Sequence, residues 1–119
     1  MNKHEKINYL ELPSKDINKT KEFFTKVFNW TFEDFGDEYT AFNDGTINGG
    51  FFKSTMNCSM QTGSALIVFY SSNLEETQLK IEENNGVIVN EIFNFPGGRR
   101  FHFSDPTGNE FAVWSDLAI

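Results

Sequence analysis

The 119-residue sequence contains a single cysteine, three prolines and only ten basic residues, and each scarcity removes a class of protein. The lone thiol, Cys58, has no partner for an internal disulfide and no second thiol for a metal pair, and its neighbours Thr55, Asn57 and Ser59 are polar. A disulfide scaffold is excluded, and a reducing cytoplasm is the expected location. Ten Lys and Arg stand against seventeen Asp and Glu, a formal charge of −7, so the chain as a whole repels phosphate backbones and anionic headgroups. Neither nucleic acid nor a membrane is an expected partner. Long apolar runs are also missing: the segment after Met1 to Lys6 is too short for a signal core or a membrane span, so the Asn-x-Ser/Thr triplets at Asn18, Asn29 and Asn57 read as chance matches.

The chain is rich in aromatic residues, with 14 Phe and 16% aromatics overall, 39% apolar residues and 23% charged ones. That is a folded composition, and the length fits one compact domain. Ile7 to Leu12, closed by Pro13, reads as a strand with Leu10 and Leu12 on one face and Tyr9 and Glu11 on the other. Asp16 is placed to cap a helix whose Ile17, Thr20, Phe24, Val27 and Phe28 recur at three and four residues, ending about Phe28. Three short strands follow over Trp30 to Phe32, Glu38 to Phe42 and Ile47 to Phe52, divided by the turns Gly36-Asp37 and Asn43-Asp44-Gly45.

After a small, polar connector at residues 54–63 the order begins again. Ala65 to Tyr70 reads as a strand, Asn73 caps a helix with Leu74, Thr77, Gln78 and Ile81 on its inner face, and Asn84-Asn85-Gly86 ends it. Val87 to Ile92, Arg99 to Phe103 and Glu110 to Trp114 give three more strands. Laying Asp16 on Asn73 also lays Phe32 on Val89, and Phe42-Asn43-Asp44 falls on Phe103-Ser104-Asp105 in a second alignment. Both halves are β-α-β-β-β. The expected architecture is α+β, one domain of two such modules at about 5–54 and 63–116, with sheets curving around a ligand cleft.

The stretches Leu10-Glu11-Leu12-Pro13-Ser14-Lys15-Asp16, Phe23-Phe24-Thr25-Lys26-Val27-Phe28-Asn29-Trp30 and Phe95 to Glu110, with its Asp105-Pro106-Thr107-Gly108-Asn109 turn, together resemble the vicinal oxygen chelate superfamily of glyoxalase I, bleomycin-resistance proteins and extradiol dioxygenases. The resemblance covers essentially the whole chain. It implies the two-module fold, small-molecule chemistry in the cleft and assembly as a homodimer. It also implies metal ligands on the first and last strands of each module, and those positions here hold Tyr9, Leu66, Ala112 and a residue near Gly50 or Phe51. None is an ordinary ligand for a divalent cation, so no metal or other cofactor is expected.

Alternation places Leu10, Leu12, Phe101, Phe103, Phe111 and Val113 under the helices. The cleft side then carries Tyr9, Glu11, Leu66, Val68, Tyr70, Arg100, His102, Glu110, Ala112 and Trp114. His102 is the candidate for proton transfer, oriented by Glu110 or Glu11, against the favoured reading of a satisfied structural histidine. Glu11 and Arg100 are candidates for an ion pair or for ligand contact, Arg99 and Arg100 for an anion after Gly97-Gly98, and Tyr70 and Trp114 for stacking on a flat ligand. His4 sits in a solvated Lys/Glu-rich stretch. The expected function is binding of a small organic molecule, with or without a metal-independent activity; the alternatives are a metal-dependent lyase or isomerase of the lactoylglutathione lyase type and a noncatalytic interaction module.

Overall fold

The computed structural model describes residues 2–117. Its elements run β1 (Tyr9–Ser14), α1 (Ile17–Phe28), β2 (Thr31–Asp34), β3 (Tyr39–Asn43), β4 (Asn48–Lys53), a short 3-10 turn (Met60–Thr62), β5 (Ile67–Tyr70), α2 (Leu74–Glu83), β6 (Val87–Phe95), β7 (Gly98–Ser104) and β8 (Glu110–Ser115). They form two mixed sheets ordered β1-β4-β3-β2 and β5-β8-β7-β6. In each, the first strand runs parallel to the last strand of its own half, and the other neighbours are antiparallel. The α+β reading and the doubled β-α-β-β-β order hold.

The element ends differ in instructive ways. β1 starts at Tyr9 and runs through Pro13, where the sequence reading stopped it, because an edge strand does not need the amide that proline lacks. β6 continues beyond Ile92 to Phe95, with register shifts between Ile88 and Asn90 and between Asn90 and Phe93. β5 is shorter than its apolar run and begins at Ile67.

Local chemistry repeats between the halves. Asp16 accepts a hydrogen bond from the Lys19 amide at 3.2 Å and Asn73 from the Glu76 amide at 3.1 Å, each satisfying an amide left free by the first helical turn. Behind each cap a hydroxyl pair, Ser14 with Thr20 and Ser71 with Thr77, ties strand to helix at 2.7 Å. Asn29 ends α1 in the left-handed region at φ 61°.

The core lies between the sheets, and α1 fills it. Phe24 stacks on Trp30 at 4.3 Å between ring centres, and Trp30 stacks in turn on Phe42 at 4.3 Å. Phe24 also meets Phe51 of the first sheet at 5.7 Å and Phe111 of the second at 5.4 Å, while Phe28 stacks on Phe69 at 4.3 Å and Phe23 lies 6.0 Å from Phe103. α1 thus reaches the inner faces of both sheets, and Leu74 and Ile81 of α2, fully buried, complete the same core. The other faces of the sheets point outward.

The connector is strapped to the second half. Asn109, fully buried, donates to the Pro13 carbonyl at 2.6 Å and accepts from the Cys58 amide at 2.8 Å, so one amide side chain holds β1, the connector and the turn before β8 together. In that turn Asp105 Oδ1 accepts from the Thr107 amide and hydroxyl, both at 2.9 Å, and from the Asn109 amide at 3.1 Å. Its Oδ2 is buried without a partner, and burial pushes the carboxyl pKa up against the pull of those donors.

Two outcomes are expected. Asn109→Ala leaves a buried acceptor and a buried donor unpaired and lowers unfolding stability by roughly 2–5 kcal/mol in urea titration, since each orphan costs about 1–3 kcal/mol. Because the folded state holds the Asp105 proton more tightly than the unfolded chain, this group's contribution to stability falls as pH rises from about 4 through its raised folded value. Asp105→Asn keeps the acceptor and removes that slope, which denaturation at a series of pH values reads directly.

Candidate functional site

The outer face of the second sheet gathers most of the residues singled out in the sequence. Cross-strand register sets Val68, Ala112 and His102 in one row and Tyr70, Trp114 and Arg100 in the next. Leu66 lies just before β5. These side chains share one face of the sheet, as alternation requires. His102 is 6% exposed, and the Glu110 side chain beside it is nearly as buried.

These groups form one hydrogen-bonded line. Arg100 Nη2 lies 3.0 Å from His102 Nε2, and His102 Nδ1 lies 3.0 Å from Glu110 Oε2. A guanidinium can only donate, so Nε2 accepts and the ring proton sits on Nδ1, donating to the carboxylate. The other oxygen of Glu110 accepts from the Met60 amide at 3.0 Å. Glu110 therefore orients His102, and both ring nitrogens are occupied in this arrangement.

Arg100 lies against two rings of β6 that sequence reasoning missed. Its guanidinium carbon lies 5.9 Å from the centres of both Phe93 and Phe95. Phe95 in turn approaches Trp114 at 6.2 Å, and Trp114 meets Tyr70 edge-on at 5.3 Å. The alternating apolar residues of Ile92-Phe93-Asn94-Phe95 carried the available signal, but the irregular register of β6 hid which face they join.

Glu11 and Arg100 do not pair, because they stand on different sheets. On the outer face of the first sheet Tyr39, another residue the sequence did not single out, donates to Glu11 Oε2 at 3.0 Å and lies 2.6 Å from the Tyr9 hydroxyl. Burial, with the bonds to Tyr9 and Glu11, raises the Tyr39 phenol far above its ordinary value, so it stays a donor. Arg99 pairs with Glu75 at 2.7 Å, and His4 is exposed beside Glu5, remote in role from His102.

The positions that the family resemblance assigns to metal ligands do not fit a metal. Ala112 and Leu66 offer no donor atom, the Tyr9 hydroxyl is engaged with Tyr39, and Gly50 leaves the space that the Tyr39 phenol occupies. Among the described residues no three His, Cys, Asp or Glu side chains come together to hold an ion. Two surface depressions, of about 390 and 550 Å³, lie along α1 and share Glu22 and Lys26 in their lining.

A methyl group at Gly50 overlaps the Tyr39 phenol. Gly50→Ala is expected to swing that ring away from Glu11, at a cost of about 1–3 kcal/mol. Absorbance titration near the phenolate band should then show one more tyrosine ionising in the ordinary range of about 10.

Comparison with known proteins follows the same lines. The E126Q mutant of the fosfomycin resistance protein FosX from Listeria monocytogenes, complexed with Mn(II) and 1S,2S-dihydroxypropylphosphonic acid, superposes with a TM-score of 0.77 at 19% identity, covering 92% of this chain and 89% of that one. Lactoylglutathione lyase from Agrobacterium tumefaciens gives 0.70 at 17% identity over 93% of each chain. An integron cassette protein from Vibrio cholerae gives 0.66 at 22% identity, covering 97% of this chain and 98% of that one. At these identities the likeness shows the fold. No curated protein matches the sequence. The sequence profile of one family, however, matches residues 6–113, nearly the full length over which the doubled motif runs. The chain is accordingly a member of the Glyoxalase/Bleomycin resistance protein/Dioxygenase superfamily.

Proposed function

We propose that this protein binds a small organic molecule on the outer face of its second sheet, without a divalent metal. One contrast carries the reading. The positions where the resemblance calls for metal ligands hold Tyr9, Gly50 or Phe51, Leu66 and Ala112, whereas the outer face of the second sheet carries aromatic walls and an Arg100–His102–Glu110 line. A binding face lined by rings with few polar groups suits a small ligand. The names of the structural neighbours, fosfomycin resistance protein and lactoylglutathione lyase, agree with small-molecule chemistry in general.

In this reading His102 is a positioning residue. Glu110 fixes its tautomer, and its Nε2 steadies the guanidinium of Arg100. Val68, Tyr70 and Trp114 form the apolar floor; Val68 and Tyr70 are 42% and 52% exposed in the single chain, which leaves them available to a ligand and to a covering surface. A second copy of the chain supplies that cover, its Tyr9 and Glu11 facing the ligand from the other side. Cys58, unpaired and half-buried, suits a reducing cytoplasm. No helix of the described residues is long and apolar enough to cross a membrane.

The test is to dialyse purified protein against manganese, zinc or nickel, then measure bound metal and melting temperature. Substoichiometric metal and an unchanged melting point are expected. Stoichiometric metal with a raised melting point would favour the metal-dependent lyase or isomerase instead.

A further inference from the structure

Arg100 is a cation without an anion. Arg99, its neighbour, is matched by Glu75 at 2.7 Å, but among the described residues no carboxylate comes within ion-pair distance of Arg100. Its single hydrogen bond goes to an imidazole nitrogen. Among the described residues its Nε is buried with no acceptor and its Nη1 has no hydrogen-bond partner. In a chain of net charge −7, a carboxylate to pair it would be easy to supply, and leaving such a group half-buried and unmatched is costly.

The surroundings hold the guanidinium ready. Phe93 and Phe95 of the neighbouring strand both lie 5.9 Å from it, and His102, itself held by Glu110, takes up one Nη2 hydrogen. Next to it runs an aromatic surface of Phe95, Trp114 and Tyr70, whose rings meet edge to face at 62° and 74°. The acidic groups near this surface are accounted for: Glu110 is bound by His102 and the Met60 amide, and Asp116 accepts from the Tyr70 hydroxyl at the far end. An anion reaching Nη1 meets no free carboxylate before the cation.

We infer that the ligand of this face is a small organic acid with an apolar, aromatic body, its carboxylate seated on Arg100 and its body packed against Phe95, Trp114 and Tyr70. A planar carboxylate matches the guanidinium fork better than a spherical ion does, and edge-to-face rings reward a ligand that is apolar and aromatic beyond its charged end. This rests on the small-molecule reading above and narrows it.

The experiment uses the full chain labelled with nitrogen-15 and four probes: benzoate, its neutral isostere benzamide, methylphosphonate and inorganic phosphate. Benzoate is expected to shift the Arg100 Nε–H and Trp114 indole signals saturably and to bind about tenfold or more tightly than benzamide, as a charge-assisted pair in a partly buried site requires. Arg100→Gln abolishes that preference, Arg100→Lys keeps part of it, and Arg99→Gln leaves it intact. If Arg100→Gln fails to fold, a salt series on the native chain carries the test, because benzoate affinity falls with added salt and benzamide affinity does not. Benzamide binding this face as tightly as benzoate overturns the acid assignment while leaving the small-molecule reading in place. Phosphate or methylphosphonate outcompeting benzoate overturns the aromatic body. No shift on this face with either aromatic probe removes both readings together.

Discussion

The structure depends on one helix meeting two sheets at once. Phe24 lies within ring-packing distance of Phe51 in one sheet and Phe111 in the other, and Phe23 and Phe28 extend the contact to Phe103 and Phe69. For a chain of 119 residues this is an efficient use of aromatic volume, because each ring removes a large apolar area from water on two sides. It also decides where ligands can go. With the inner faces filled by rings, the strand residues able to meet a solute are those of the outer faces.

The elements that were legible in the sequence are those governed by local chemistry. Asp16 and Asn73 announce their helices because a cap is a contact over three residues, and the three-and-four spacing of Phe24, Val27 and Phe28 marks the buried stripe of α1. Strand faces were legible wherever alternation is unbroken, which is why His102, Ala112 and Trp114 fell on the correct side. Phe93, Phe95 and Tyr39 escaped for a different reason. The first two follow a strand whose register shifts twice, and Tyr39 reaches Glu11 across the sheet through pairings that only the fold creates. Pro13 misled as a stop signal because an edge position tolerates it.

The doubled architecture has not kept doubled chemistry. Asp44 and Asp105 occupy corresponding turns, and each accepts from two backbone amides and a threonine hydroxyl. For Asp44 burial also raises the pKa, but the donors of Ile47 and Thr46 outweigh it and the net shift is downward; for Asp105 burial wins and the shift is upward. The outer faces diverge as well. The first carries two phenols and a carboxylate packed over Gly50, and the second carries a guanidinium among rings.

Because those outer faces are unlike and both point away from the shared core, any association of copies that used both would set the first face of one copy against the second face of another. Where a two-fold axis relates the copies, that contact is made twice and closes a pair. Where another closing rotation relates them the same contact builds a ring, and where the rotation does not close it runs on as a filament. Two unlike faces on one chain thus leave the symmetry of an assembly, rather than the strength of its contact, to decide whether it stays finite.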